Sequence, residues 1–214
     1  MKAVIDNDIL LKGACYGLLG ELISTICSAD DVVGVLGSAR FVVPKRIETA
    51  NVRRDRAVAL GILLTFLSKT EALEPADDEQ RMAADLELTA QELGVNLDGG
   101  ESQLCAILVK RALPLLLTGD KRAVTAIEKL LDADSRLTHI GGRVKCLEQV
   151  FATAVARHGY AALCLAVCAE PEIDKVLSIC CSCKSQPADH ETLLECLQSY
   201  INHLRQQAGR VLAP

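Results

Sequence analysis

Carboxylates recur where a chain of alternating strands and helices would bring them to one edge. Asp6 ends the apolar run 3–6, Glu48 follows the apolar segment 38–44, Asp98 and Glu101 flank the Gly99-Gly100 pair, and Asp120 follows the buried run 113–118. Asp and Glu are almost never buried unless paired or bound to a metal, and open α/β sheets keep their ligands outside the carboxyl ends of the strands. Carboxylates drawn to one such edge repel one another unless a divalent cation neutralises them. Oxygen donors without a paired His or Cys select Mg²⁺ or Mn²⁺ over Zn²⁺. Such a cation orients water and a substrate phosphate for in-line displacement.

Each acid also has a plainer reading. Glu101 suits the positive end of a helix, Asp98 is a good N-cap, and Asp8, just beyond Asp6, suits a turn. Asp6 and Asp120 are harder to dismiss, because both end apolar strands. Asp98 and Glu101 compete for one role at the metal, and the glycine pair lets the following helix start close enough for Glu101 to reach it.

The elements that must position these residues follow from periodicity. The run 3–6 is apolar without alternation, as in a strand covered on both faces. Residues 9–27 carry Leu10, Leu11, Leu18, Leu19, Leu22, Ile23 and Ile26 at helical spacing. The segment 32–36 reads as a short helix and 38–44 as a second strand closed by Pro44. Next comes a locally basic helix start with Lys45, Arg46, Arg53 and Arg54. An apolar helix over 57–68, a polar loop over 69–79 and a helix over 80–93 stopped by Gly94 complete the first half. A helix over 101–112, a strand over 113–118, a helix over 121–131 and a short edge strand within 136–142 follow. The alternation indicates a parallel central sheet with helices on both faces, an α/β fold over residues 1–140. Residues 141–214 read as a helical extension broken at Gly159, Pro171 and Pro187, with seven of the ten cysteines.

Composition narrows the function. The 214 residues are 50% hydrophobic, enough to bury a sizeable core. A net charge of −5 leaves no global basic field, so a phosphate must be held by a local patch or through a metal. Aromatics at 3% and no Trp argue against a base-stacking platform. No apolar run approaches the roughly 18 residues of a membrane span, so a membrane is not an expected partner. The start Met-Lys-Ala-Val-Ile-Asp reads at once as a strand rather than a leader, so a cytoplasmic setting with reduced cysteines is expected.

Four segments carry a resemblance. Val-Ile-Asp-Asn-Asp at the N-terminus, Val-Val-Pro-Lys-Arg-Ile-Glu, Leu-Asp-Gly-Gly-Glu-Ser-Gln-Leu-Cys-Ala-Ile and Leu-Leu-Leu-Thr-Gly-Asp-Lys-Arg-Ala resemble, in order, the four acidic motifs of PIN-domain nucleases, over about residues 2–131. The resemblance implies a PIN-like fold and a Mg²⁺- or Mn²⁺-dependent endoribonuclease, of the kind that serves as toxin in bacterial toxin–antitoxin pairs. It implies Asp6, Glu48, Glu101 and Asp120 as the catalytic acids, with metal contacts from Asp6, Asp120 and Glu101 or Asp98. Thr118 resembles the small hydroxyl residue near the last acid, and Lys45, Arg46, Arg53 and Arg54 are the residues expected to hold the RNA backbone. An RNA substrate is the expected partner; a cognate antitoxin and a homodimer are left open. The resemblance says nothing of the chain after about residue 140.

Two further readings stand beside it. A chain with the same fold but no turnover would act as an interaction module through its helical tail. A zinc site could be drawn from Cys164, Cys168, Cys180, Cys181, Cys183, His190 and Cys196; but Ile179-Cys180-Cys181-Ser182-Cys183 is not a pair of CxxC knuckles, and buried free thiols are the favoured account.

Overall fold

A computed structural model describes every residue except 29 and 187; the break expected at Pro187 therefore lies outside the described residues. Five parallel strands form one sheet in the order β3-β2-β1-β4-β5: β1 (Ala3–Ile5), β2 (Val33–Leu36), β3 (Glu71–Leu73), β4 (Leu116–Thr118) and β5 (Val144–Cys146). The register sets Ile5 beside Val35 on one side and Leu117 on the other. Successive residues of a strand face opposite ways. Ala3 and Ile5 accordingly enter one core layer with Ile9, Leu10, Leu63 and Phe151, and Val4 enters the other with Leu36, Leu86, Leu104 and Ile127. Helices thus cover both faces of the sheet, as the apolar strand runs predict.

The chain leaves β1 towards β2 and β3, then crosses back to place β4 and β5 on the other side. The crevice between the carboxyl ends of β1 and β4 is therefore the switch point where such sheets bind ligands. Asp6 follows β1 at this crevice, and Asp120 lies just past β4.

Several expected elements differ. The segment read as a helix over 32–36 is β2, whose Val-Gly-Val-Leu is buried throughout and pairs with β1 and β3. The segment read as a strand over 38–44 belongs to α3 (Ala39–Thr49), in which Ala39, Val43 and Ile47 recur at intervals of four and face the core. Pro44 sits inside that helix; the carbonyl four residues back, which loses its N–H partner, belongs to Arg40, an exposed residue within reach of solvent. The single helix expected over 9–27 is two, α1 (Asn7–Tyr16) and α2 (Leu19–Ser24), divided at Gly17, whose φ of 71° is left-handed. The polar loop over 69–79 contains edge strand β3. The edge strand expected within 136–142 is a 3₁₀ turn, Ser135–Ile140, with the true edge at β5.

The apolar helix α4 (Arg56–Leu67), α5 (Asp77–Glu92), α6 (Gly99–Lys110) and α7 (Lys121–Ala133) lie close to their expected places. Beyond residue 140 the chain is not a helical appendage. It supplies β5, then α8 (Leu147–His158), α9 (Tyr160–Ala169), α10 (Lys175–Cys180) and α11 (His190–Gln207). Val150, Phe151, Leu163, Leu177 and Leu193 complete one core layer, and Ile201, Leu204, Val211 and Leu212 the other. The last residues run alongside β5, where the Ala213 N–H donates to the Val144 carbonyl. The division at 140 therefore falls within one sheet and one pair of cores. Short apolar helices such as α9 gave no strand signal, and a three-residue strand is too short to show a period.

The cysteines also depart from expectation. Cys168 and Cys183 form a disulfide that ties α9 to the turn after α10, against the all-reduced reading. Among the described residues the other eight are free thiols, of which only Cys196 is not fully buried.

Candidate functional site

The acids are placed by strand ends and helix starts. Asp6, 8% exposed, stands between β1 and α1. The Thr118 hydroxyl at the end of β4 donates to Asp6 Oδ2 at 3.1 Å and accepts from the Asp120 N–H at 3.1 Å, so one buried side chain joins the two acids. Asp120 caps α7 by accepting from the Arg122 N–H at 2.7 Å, and the Arg122 guanidinium closes on its other oxygen, Nη2 to Oδ2 at 2.7 Å. Asp98 caps α6, its Oδ1 accepting from the Gly100 and Glu101 N–H groups, and Glu101 Oε2 accepts from the Asp98 N–H. This reciprocal box leaves Glu101 Oε1 without a hydrogen bond among the described residues and points Asp98 at its own helix. The local reading of Asp98 is thus what the geometry shows, and of the competing pair Glu101 is the more buried.

Asp6, Asp98, Glu101 and Asp120 line a pocket of about 630 Å³ together with Asp8, Arg46 and Arg122. Burial, then the charge of Asp8, raises Asp6 from 3.8 to about 6, despite the opposing Thr118 hydrogen bond. Burial raises Glu101 from 4.5 to about 8; the Asp98 N–H opposes this, while the charges of Asp98, Asp120 and Asp6 reinforce it. For half-buried Asp120 burial pushes upward too, but the hydrogen bonds and charge of Arg122 outweigh it and hold the carboxyl below its ordinary range. Asp6 and Glu101 resist ionisation chiefly because they are buried, whereas Asp120 has Arg122 beside it to favour its charge. By donor type and charge the set fits a hard divalent cation. Among the described residues, no three His, Cys, Asp or Glu side chains form a ready-made cage, and Asp120 is paired with Arg122.

The other expected residues divide. Arg46 lines the pocket and its Nη2 meets Asp8 Oδ1 at 3.1 Å. Glu48 is exposed and does not line it. The stripe of α3 that faces the acids is Ser38, Val42 and Arg46, and a residue two beyond Arg46 lies about 200° around the helix. The expectation places Glu48 in the first turn of a helix after a strand 38–44, at the crevice; in a helix that already begins at Ala39 its phase carries it away. Lys45 and Arg53 are exposed outside the pocket. Arg54 packs against Gly17, where a Cβ would strike its Nη1. Glu170, 1% exposed, instead accepts from the Arg53 and Arg54 N–H groups and fixes that loop to the end of α9. Thr118, at 2% exposure, is too buried to touch a substrate and serves as the link between acids.

Three residues escaped the sequence reading. Arg122 closes on Asp120. Lys12 sits between Asp8 Oδ2 at 2.6 Å and Asp174 Oδ2 at 2.8 Å, and Asp174 comes from beyond the expected domain boundary. The Asp8/Lys12 spacing of four on a helix was a readable signal; the partnership with Asp174 was not. Gly119 is small for a reason, since a Cβ there would lie 2.4 Å from Asp8 Oδ2.

Comparison of the chain with protein-family models, with curated proteins and with solved structures found no match.

The raised acids predict a pH dependence. A carboxyl whose folded pKa exceeds its unfolded value opposes folding once ionised, and the penalty grows as pH rises from the unfolded value to the folded one. For Glu101 that window runs from 4.5 to about 8, and for Asp6 from 3.8 to about 6. In EDTA, urea unfolding followed by circular dichroism should show stability falling between pH 5.5 and 8. Glu101→Gln should flatten that slope and gain on the order of 2 kcal/mol at pH 8, allowing for solvent screening at a partly exposed group. Parallel slopes for the two proteins would refute the assignment.

Proposed function

We propose that the protein is a PIN-like, Mg²⁺- or Mn²⁺-dependent ribonuclease. The observation that carries this reading is that Asp6, Glu101 and Asp120 line one pocket at the switch-point crevice, with Asp6 and Asp120 joined through Thr118. A bound divalent cation would polarise a phosphate oxygen and lower the pKa of its water to make a nucleophile. Asp6 and Glu101 would hold it, with Asp120 joining as Arg122 turns from it to an incoming phosphate. Thr118 keeps Asp6 and Asp120 in fixed relation, and Arg46 neutralises Asp8 at the pocket rim. Service as the toxin of a toxin–antitoxin pair in the cytoplasm, with an antitoxin partner, extends the same proposal and rests on the motif resemblance.

A second reading keeps the fold without turnover, as an interaction protein. It is favoured by one observation: α3 presents Val42 and Arg46 to the pocket where a further acid was expected. The two separate on titration of Mn²⁺ into metal-free protein and on incubation with a mixed-sequence RNA. The nuclease reading expects saturable Mn²⁺ binding and RNA cleavage that stops with EDTA. Metal binding without cleavage would favour the interaction protein, and cleavage that persists in EDTA would exclude the proposed chemistry.

A further inference from the structure

The acid pocket does not end at Asp120. A narrow cleft shared by Glu101, Asp120 and Arg122 leads past Val95 and Asn96 into a second groove of about 460 Å³ between α7 and α11. Arg122 lines all three spaces, so they lie side by side around it. In a chain of net charge −5, this groove has no Asp or Glu among its lining residues. Its walls instead carry Arg122 and Lys129 from α7 and Tyr200 and His203 from α11. Lys121 also lines it, but its ammonium is committed to buried Glu148 at 2.7 Å. Lys129 is exposed and has no carboxylate within salt-bridge distance among the described residues.

We infer that the furrow between α7 and α11, opening at Arg122, is the track on which a single-stranded polynucleotide lies as it enters the acid pocket. Three features fit that ligand. Lys129 lies seven residues beyond Arg122 on the same face of α7, so the basic edge extends about 10 Å at 1.5 Å per residue, long enough to follow a phosphodiester backbone rather than a lone phosphate. Packed helices lie about 8–10 Å apart axis to axis, so the furrow between them admits one strand and not a duplex. Tyr200, half-buried on α11 and packed partly on the core, lines the groove with the remainder of its ring, against which one base can lie. The tail thereby gains a role, since α11 forms one wall of the track. The inference rests on the nuclease reading for the identity of the pocket, but its test does not depend on cleavage.

Binding of a fluorescein-labelled 12-nucleotide RNA to the full chain would be measured by anisotropy in EDTA, beside single-stranded DNA and duplex RNA of the same sequence. Lys129→Glu and His203→Glu should each weaken single-strand binding about tenfold, and Lys129→Glu should lower the salt slope by about 0.7, the contribution of one phosphate contact on a single strand. Lys69→Glu, an exposed lysine just before β3 at the opposite end of the sheet, should change neither. Thermal melting of each variant establishes that it is folded. Equal affinity of Lys129→Glu and parent, equal loss in Lys69→Glu, tighter binding of duplex than of single strand, or no binding by the parent would each overturn the inference. RNA and DNA arms show which sugar the track accepts. Metal-dependent cleavage unaffected by Lys129→Glu would sink the track and leave the nuclease; groove-dependent binding in a chain that never cleaves would do the reverse.

Discussion

Asp6→Asn should lower Mn²⁺-dependent RNA cleavage by about 10³-fold, whereas Asp98→Asn should stay within about twofold of the parent. The loss at Asp6 follows from removing one anionic oxygen from the most enclosed position in the pocket, where metal catalysis supplies several kcal/mol of charge stabilisation, at 1.36 kcal/mol per decade of rate. Asn keeps the acceptor that Thr118 Oγ1 donates to, so the fold around the crevice is preserved and the change reports on charge alone. Asp98 is different in kind. Its Oδ1 is occupied by the Gly100 and Glu101 N–H groups, and Asn caps a helix as well as Asp does. Initial rates in Mn²⁺, together with metal affinity by calorimetry, separate the two. Equal losses at both positions would place Asp98 at the metal and undo the assignment of Glu101; no loss at Asp6 would remove the carboxylate site altogether.

The contrast between Asp6 and Glu48 shows how much of this site the sequence could yield. Asp6 and Asp120 were legible because each closes a buried run, and a side chain immediately past a parallel strand has little choice but to lie at the crevice. The glycine pair and the acids around it were legible as a helix start, and the box between Asp98 and Glu101 follows from spacing alone. Glu48 was misplaced because its position depended on whether 38–44 is a strand or a helix. Val33-Gly34-Val35-Leu36 and Phe41-Val42-Val43 are both short apolar runs, which periodicity cannot assign, and Pro44 argued against a helix that forms regardless. The parallel sheet and the helices on both faces came from the alternation of elements, whereas the strand order is not readable from it, and β3 and β5 are three residues each and carry no period. Long-range partners were beyond reach. Nothing near Lys12 in the chain announces Asp174, and nothing near Arg53 announces Glu170. These contacts also show why the tail could not be read as separate: Asp174 and Glu148 are the counter-charges of Lys12 and Lys121, and Glu170 holds the backbone of the first half.

Lys12→Met tests that coupling and should cost about 3–5 kcal/mol, the range for removing one partner of a buried ion pair. The ammonium is 13% exposed and lies between carboxylates that are 17% and 6% exposed, so Asp8 and Asp174 would be left facing each other with little water between them. Burial alone would lower the Lys12 pKa, but the charges of Asp8 and Asp174 outweigh it and hold it at about 12. Because that value is above the lysine's ordinary 10.5, its contribution is complete throughout the neutral range and is lost only as pH rises through about 12. Asp174 provides the acid handle. Burial would raise its pKa, yet Lys12 holds it below 3.8, so its share of the stability is present above that value and disappears as pH falls through the lowered one. Asp174→Asn in the Lys12→Met background should recover part of the loss, since Asn still accepts from the Leu177 N–H at the start of α10 while removing one of the stranded charges. Urea denaturation of the single and double variants gives the interaction energy directly. Additive losses would mean that Lys12 and Asp174 are neighbours without being partners, and that the tail is joined to the acid pocket by apolar packing alone.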